Sequence, residues 1–460
     1  MSTYMTANPT TGEIEREFDE LTDADVPETL AKSTEAFASW RTTPVTERAQ
    51  LMTRIADAYD ARREELASLI STEMGKPLAE SQGEVDLAGA IYRWYADNGP
   101  DLLAPEVLDP QGSDESLVET APVGPLVGVM PWNFPYYQVA RFVGPNLMAG
   151  NTIILKHAPI CAASAEVMAE IVHAAGVPDD VYINVFATND QIADMIADPR
   201  VQGISLTGSE RAGSSVAETA GRNLKKAVLE LGGSDALIVL DDGDLETTAR
   251  IAATARLSNT GQACNSPKRM IVPNDHVDDF VATIVEVFEA AQVGDPTNPE
   301  TTMGPLSSIT ARDTVVSQVQ RAVEQGATLH TGGGAIDGNG AFMRPAVLTG
   351  VTKDMDAYAE EIFGPVAVVY GVDSTEDAVT LANDVSFGLS GSVWGTDISR
   401  AQQIADQLEV GMAYINEHGT TLPGLPFGGV KRSGFGRELG RWGMGEFVNT
   451  RLRRTSTTKK

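Results

Sequence analysis

The chain has 460 residues, 42% of them hydrophobic, with two cysteines and a formal net charge of -30. That length calls for two or three domains rather than one core, and two cysteines exclude a disulfide framework. No apolar run approaches the roughly 18 residues of a membrane-spanning helix, and so strong a negative field disfavours nucleic acid and anionic membranes as partners.

The first residues, Met1 to Met5 and then Glu13, Glu15, Glu17, Asp19 and Glu20, lack the basic start and apolar middle of a signal peptide. A cytoplasmic location is expected. Residues 24–97 read as helices, with Ala36, Phe37 and Trp40, then Leu51, Met52, Ile55 and Tyr59, then Val85, Ala88, Ile91, Tyr92 and Tyr95 at helical spacing. Asn98-Gly99-Pro100 predicts the end of that run. Ser116 to Val129 is extended and broken by Pro122-Val123-Gly124-Pro125, which predicts a hairpin. Strands at 152–156, 182–187, 203–207 and 226–230 then alternate with helices at 162–175, 191–197 and 209–222. A second alternating set follows: strand 235–240, a helix to about Ser258, strand 268–272, helices 276–291 and 309–325, and strands near 328 and 345. The fold class is α/β with parallel sheets. The tail, Glu446 to Leu452, alternates as a strand leaving the compact body. Five histidines with no ligand-pair spacing give no metal site.

Of the 34 basic residues 24 are Arg and 10 are Lys, and the acids are spread along the chain. Such a surface reads as plain solubility or as adaptation to high salt, where its self-repulsion is screened.

Cys264 lies in a polar, glycine-containing turn, Asn259-Thr260-Gly261-Gln262-Ala263-Cys264-Asn265-Ser266, whereas Cys161 opens an apolar helix. A thiol reacts as thiolate and needs a polar, partly exposed site; a lone Cys is otherwise a small buried hydrophobe. Three further stretches stand out: Pro131-Trp132-Asn133-Phe134-Pro135, Leu229-Glu230-Leu231-Gly232-Gly233 and Glu360-Glu361-Ile362-Phe363-Gly364-Pro365. In this order and at these separations, the four resemble the aldehyde dehydrogenase superfamily, from about Thr34 to the C-terminus.

The resemblance implies two Rossmann-like α/β domains and a small β element for oligomerisation. The cofactor domain would take residues 1–111 and 128–232, the catalytic domain 233–432, and the bridging element 112–127 with 433–460. An exposed edge strand invites pairing with another chain, so a homodimer or homotetramer is expected. No GxGxxG is present. Leu206-Thr207-Gly208-Ser209 stands at a strand-to-helix junction, where free N–H groups attract phosphate; Ser209 also reads as a plain N-cap. The resemblance puts Gly208 and Ser209 on the pyrophosphate, Lys156 on the adenosine ribose, Glu361 on the nicotinamide ribose, and Trp132 and Phe363 in the cofactor site. The family's Lys-Pro-x-Glu is here Lys156-His157-Ala158-Pro159, without the acid. Its absence admits the 2′-phosphate of NADP, with Lys156 as counter-charge, and leaves NAD open. His157 reads as a packed residue.

For chemistry, the resemblance implies that Cys264 attacks an aldehyde carbonyl. Asn133 and the Cys264 backbone N–H would hold the oxyanion, hydride would leave for the nicotinamide, and Glu230 would activate the water that cleaves the thioester. Without the resemblance, Glu230 is an ordinary strand-end carboxylate and Asn133 a side chain bonding its own turn. Arg141, eight residues after Asn133, could grip a substrate carboxylate or be a helix-surface charge. Arg at that position, together with Lys156-His157-Ala158 and Leu425 to Gly434, resembles the succinate-semialdehyde dehydrogenases. Some of those carry a second Arg six residues before the nucleophile; here Ser258 stands there, with Arg256 nearby. Ser266, two residues after Cys264, leaves no disulfide switch at the site. The expected activity is NAD(P)-dependent oxidation of succinate semialdehyde. The alternatives are a broad-specificity aliphatic dehydrogenase, a CoA-acylating relative, which Glu230 argues against, and a silent structural relative.

Overall fold

The structure, a computed structural model, describes residues 3–241 and 243–457. The alternation of strands and helices produces two parallel-dominated sheets. The first has six strands in the order Gly434–Phe435, Lys226–Glu230, Gly203–Thr207, Pro125–Met130, Thr152–His157, Tyr182–Asn184. All neighbours are parallel except the first pair. Its central strands are largely apolar and buried because both faces are covered. Leu126 enters one core with residues of the helices Val45–Ala61, Leu78–Leu102 and Pro135–Ala149, while Val127 enters another with Leu30, Ile192 and Met195.

The second sheet has seven strands in the order Thr328–Thr331, Ala346–Thr349, Val366–Val372, Pro267–Pro273, Asp235–Val239, Ser390–Trp394, Met412–Ile415. Only its first pair is antiparallel. Leu237 and Val239 face one core, Ala236 and Ile238 the other. A third, antiparallel sheet joins Val448–Thr455 to Glu115–Pro122 and Glu106–Leu108. Val107 and Leu452 are exposed on it.

Two expectations are corrected. Residues 115–122 and 125–130 form no hairpin: the first segment pairs with the tail strand and the second with the six-stranded sheet. The Asn151 side-chain oxygen accepts from Val123 N (2.8 Å) and Gly124 N (3.1 Å), so Pro122–Pro125 crosses between sheets without turning back. The expected stop at Asn98-Gly99-Pro100 is overrun, and the helix continues to Leu102. Gly99 packs so tightly on Met148 that a Cβ there would lie 2.5 Å from its Cγ; tertiary packing overrides the local signal. In the 433–460 segment, only Val448–Thr455 joins the three-stranded sheet, while Gly434–Phe435 pairs with Lys226–Glu230.

The first sheet reverses its strand order between Pro125–Met130 and Gly203–Thr207, the switch point where open α/β sheets form a crevice at their carboxyl ends. Trp132 and Asn133 follow the one strand, Gly208 and Ser209 the other. The second sheet meets this crevice with its amino ends: Gly232–Ser234, Cys264 and Glu361–Gly364 each precede a strand.

Candidate active site between the two sheets

Cys264 is presented by a strained loop. Asn259, Thr260 and Gly261 all have left-handed backbone (φ 49°, 54° and 72°), a conformation that a β-branched Thr adopts only when its surroundings enforce it. The enforcement is visible. Asn259 N donates to Glu80 Oε2 (2.6 Å), Asn259 Nδ2 to Asn133 O (2.8 Å), and Gln262 Oε1 accepts from Ser307 N (2.9 Å). Lys268 Nζ donates to Ala263 O (2.8 Å) and Cys264 O (2.7 Å) and lies 3.3 Å from Glu361 Oε1. The Cys264 side chain is partly exposed. Desolvation within its loop pushes the thiol up to about 12, against the pull of Lys268 and Arg141. Cys161 is buried, its Sγ donating to Trp132 O at 3.7 Å, behind the site.

Asn133 is oriented by its neighbours. Its Oδ1 accepts from Gln138 Nε2 (3.1 Å), which turns the amide nitrogen toward the Cys264 loop, where Nδ2 donates to Gln262 O (2.9 Å). One N–H of that amide has no bond to the described residues. Asn133 and Cys264 line the same cavity.

Glu230 stands one step aside. Its carboxylate is 2% exposed, and neither oxygen has a hydrogen-bond partner among the described residues. A Cβ at Gly428 would lie 2.6 Å from Glu230 Oε1, so that glycine makes room for the acid. Burial raises Glu230 well above the ordinary carboxylate range, with Arg141 opposing and Glu438 adding to the rise. Arg141 is 1% exposed. Its Nε is ion-paired with Glu438, Nη1 donates to Tyr137 Oη (3.0 Å), and Nη2 donates to Thr207 Oγ1 (2.9 Å). Arg141 is therefore no surface charge; it sits inside, already holding an acid.

Three cavities join these groups. One of about 420 Å³ is lined by Lys156, Asn189, Arg211 and Ser215. One of about 270 Å³ is lined by Trp132, Asn133, Gly208, Ser209, Cys264 and Glu361, with Phe363 completing it. One of about 330 Å³ is lined by Tyr137, Arg141, Ser258, Cys264, His418 and Phe427. The first two adjoin along the amino end of the helix Glu210–Arg222, and the last two share Gln138 and Cys264. The first two fit a dinucleotide. Lys156 ends a strand, and a Cβ at Gly208 would meet nothing nearer than 3.6 Å. Helix N–H groups lie open to phosphate, although Ser209 Oγ itself caps the helix, accepting from Ala212 N at 3.3 Å. Trp132 and Phe363 meet edge to face at 5.8 Å. Among the described residues, no Asp or Glu lines the Lys156 cavity.

A partly exposed cysteine shared between a dinucleotide-sized cleft and a second cavity suits an aldehyde-oxidising enzyme, and the chain belongs to the aldehyde dehydrogenase family, whose profile matches residues 2–452. Among its relatives, the succinate-semialdehyde dehydrogenase (NADP+) of Deinococcus radiodurans is 51% identical over 458 residues, covering 99% of this chain and 96% of the relative. That of Mycobacterium avium is 42% identical over 97% of this chain and 95% of its own length. The crystal structure of succinic semialdehyde dehydrogenase from Streptococcus pyogenes in complex with NADP+ superposes with a TM-score of 0.96 at 42% identity, covering 98% of this chain and 99% of that one.

Gln138 and Arg211 also line these cavities, Lys268 bonds the Cys264 carbonyl and Glu438 pairs with Arg141, and sequence reading did not single out these four. Gln138 was signalled only by its place five residues after Asn133. Glu438, in Gly436-Arg437-Glu438-Leu439-Gly440, repeats the acid-beside-glycine pattern of Glu230.

Proposed function

We propose that the enzyme oxidises succinate semialdehyde to succinate and prefers NADP to NAD. The observation that carries this reading is the position of Cys264 in the wall between two cavities, one with Trp132, Glu361 and Phe363 and one with Arg141. An aldehyde can approach the sulfur from one side and the nicotinamide from the other. When bound, the cofactor supplies one thing: a ring carbon that accepts the hydrogen and two electrons leaving the aldehyde carbon.

The chain does the rest. Cys264 gives up its proton to water and bonds to the aldehyde carbon, whose carbonyl π electrons move onto the oxygen. The oxygen that becomes negative is met by the unpaired N–H of Asn133 and by the Cys264 backbone N–H. After oxidation, Cys264 carries an acyl thioester. Glu230, whose oxygens have no bond to break when its side chain turns toward the cavity, takes a proton from the attacking water; a carboxylate raised above its ordinary range is a stronger base. The carbon–sulfur bond then breaks, the acid leaves, and the sulfur takes the proton that Glu230 holds, which restores the thiol.

NADP is favoured by the names of the relatives and by the two cations, Lys156 and Arg211, in a cavity without acids. A substrate carboxylate is favoured by Arg141, whose two terminal nitrogens each retain one N–H without a bond to the described residues. Its pairing with Glu438 favours the second reading, a broad aliphatic dehydrogenase in which Arg141 serves only its internal acid. The test measures NADPH and NADH formation with succinate semialdehyde and butyraldehyde. A much higher kcat/KM for the semialdehyde is expected, and equal values would defeat the carboxylate reading. The six-stranded body would hold the cofactor and the seven-stranded body the nucleophile. The three-stranded sheet would join copies into a dimer or tetramer in the cytoplasm, and the acidic surface would suit concentrated salt.

A further inference from the structure

We infer that Arg256 is a positioning residue that locks the nucleophile loop to the loop carrying Glu361 and Phe363, and that turnover depends on this lock. Arg256 lies in the last turn of the helix Leu245–Leu257 and is fully buried, at 0% exposure. Among the described residues, no carboxylate is bonded to it. Its five N–H groups meet five acceptors. Nε donates to Val366 O (2.7 Å). Nη1 donates to Gly261 O (3.0 Å) and Ser266 Oγ (2.9 Å). Nη2 donates to Ile362 O (2.7 Å) and Gly364 O.

Two of these acceptors flank Cys264 on its own loop; the other three surround Phe363 and the strand that follows it. The loops also touch directly: a Cβ at Gly261 would lie 2.3 Å from Gly364 O. Gly261 is the last of the three left-handed residues, so the bond from Arg256 holds the strained turn at its exit. A buried guanidinium is costly unless every donor is satisfied. This one is satisfied only while both loops keep their present places. The fork geometry matters, because a point-charge ammonium cannot reach five acceptors in one plane. Misplacing a reacting group by about 1 Å can lower a rate about 100-fold, so loss of the lock should act on the chemical step rather than on affinity.

The inference rests on Cys264 as the nucleophile beside Phe363; a Cys264→Ala enzyme that still oxidised aldehyde would refute that reading, whereas the experiment here varies Arg256 with Cys264 intact. Arg256→Lys is purified, its folded fraction measured by near-ultraviolet circular dichroism, and kcat and both KM values determined per folded molecule. The expected result is at least a fivefold fall in kcat, with the aldehyde and cofactor KM values within threefold of the parent. A smaller fall in kcat, or a defect carried by KM alone, overturns the inference and leaves Arg256 a fold-stabilising residue. If Arg256→Lys does not fold, Ser266→Ala, which removes the one side-chain acceptor, is read instead. A kcat lowered at least twofold at unchanged aldehyde KM supports the lock, and an unchanged kcat or a raised KM overturns it.

Discussion

At the scale of single residues, the proposed chemistry divides into separable defects. Cys264→Ala should abolish aldehyde oxidation while cofactor still binds, as read by quenching of tryptophan fluorescence. Asn133→Ala should lower kcat about 100- to 1,000-fold, the usual loss for one oxyanion donor. Glu230→Gln should release one equivalent of reduced cofactor quickly and then stall at the thioester; normal steady turnover would remove Glu230 from the base role. The pH dependence follows from burial. The Cys264 thiol is pushed up to about 12 and the Glu230 carboxyl well above its usual range. Both groups work deprotonated, so activity should climb as pH rises from 6 toward 9. As pH falls through the raised pKa of Glu230, the base is lost and hydrolysis slows. That acid limb in kcat should vanish in Glu230→Gln, and a flat parental profile would contradict the assignment.

At the scale of elements, the helix Pro135–Ala149 depends on a buried pair outside it. Glu84 Oε1 accepts from Tyr136 N (2.8 Å) and Tyr137 N (3.2 Å), at the helix start that follows Asn133. Its other oxygen is ion-paired with Lys76, whose Nζ lies 3.7 Å from the centre of the Phe134 ring. Glu84→Ala strands a buried ammonium, and the expected loss of stability is about 3–5 kcal/mol, measurable by denaturant unfolding; an unchanged midpoint would show that the pair contributes nothing. Parallel strands were legible in the sequence because their apolar runs and flanking turns are local signals. The Pro122–Pro125 crossing was not, because the group that fixes it, Asn151, comes after the next helix. The same distance effect hid the partner of Arg141: its place after Asn133 could be read, but Glu438 reaches it from the far end of the chain. The loop around Cys264 was legible as a polar turn; its left-handed strain and the buried arginine beneath it are three-dimensional facts.

At the scale of the whole molecule, charge is the governing quantity. With a net charge of -30, the folded chain repels itself, and several arginines are each shared between two acids. Arg93 bridges Asp57 and Asp60, and Arg321 bridges Asp356 and Glu360. Screening lengths shrink from about 10 Å at 0.1 M salt to about 3 Å at 1 M, so the melting temperature should rise as salt is added to dilute buffer; a salt-independent melting temperature would count against salt adaptation. The meeting of two sheets, carboxyl ends against amino ends, has a further result. The cavity wall draws on both bodies, Trp132, Asn133 and Gly208 from the first and Cys264, Glu361 and Phe363 from the second, so recombination at their border would bring together two cleft faces that had never been matched to each other. Either body by itself would present one open wall and no closed cleft.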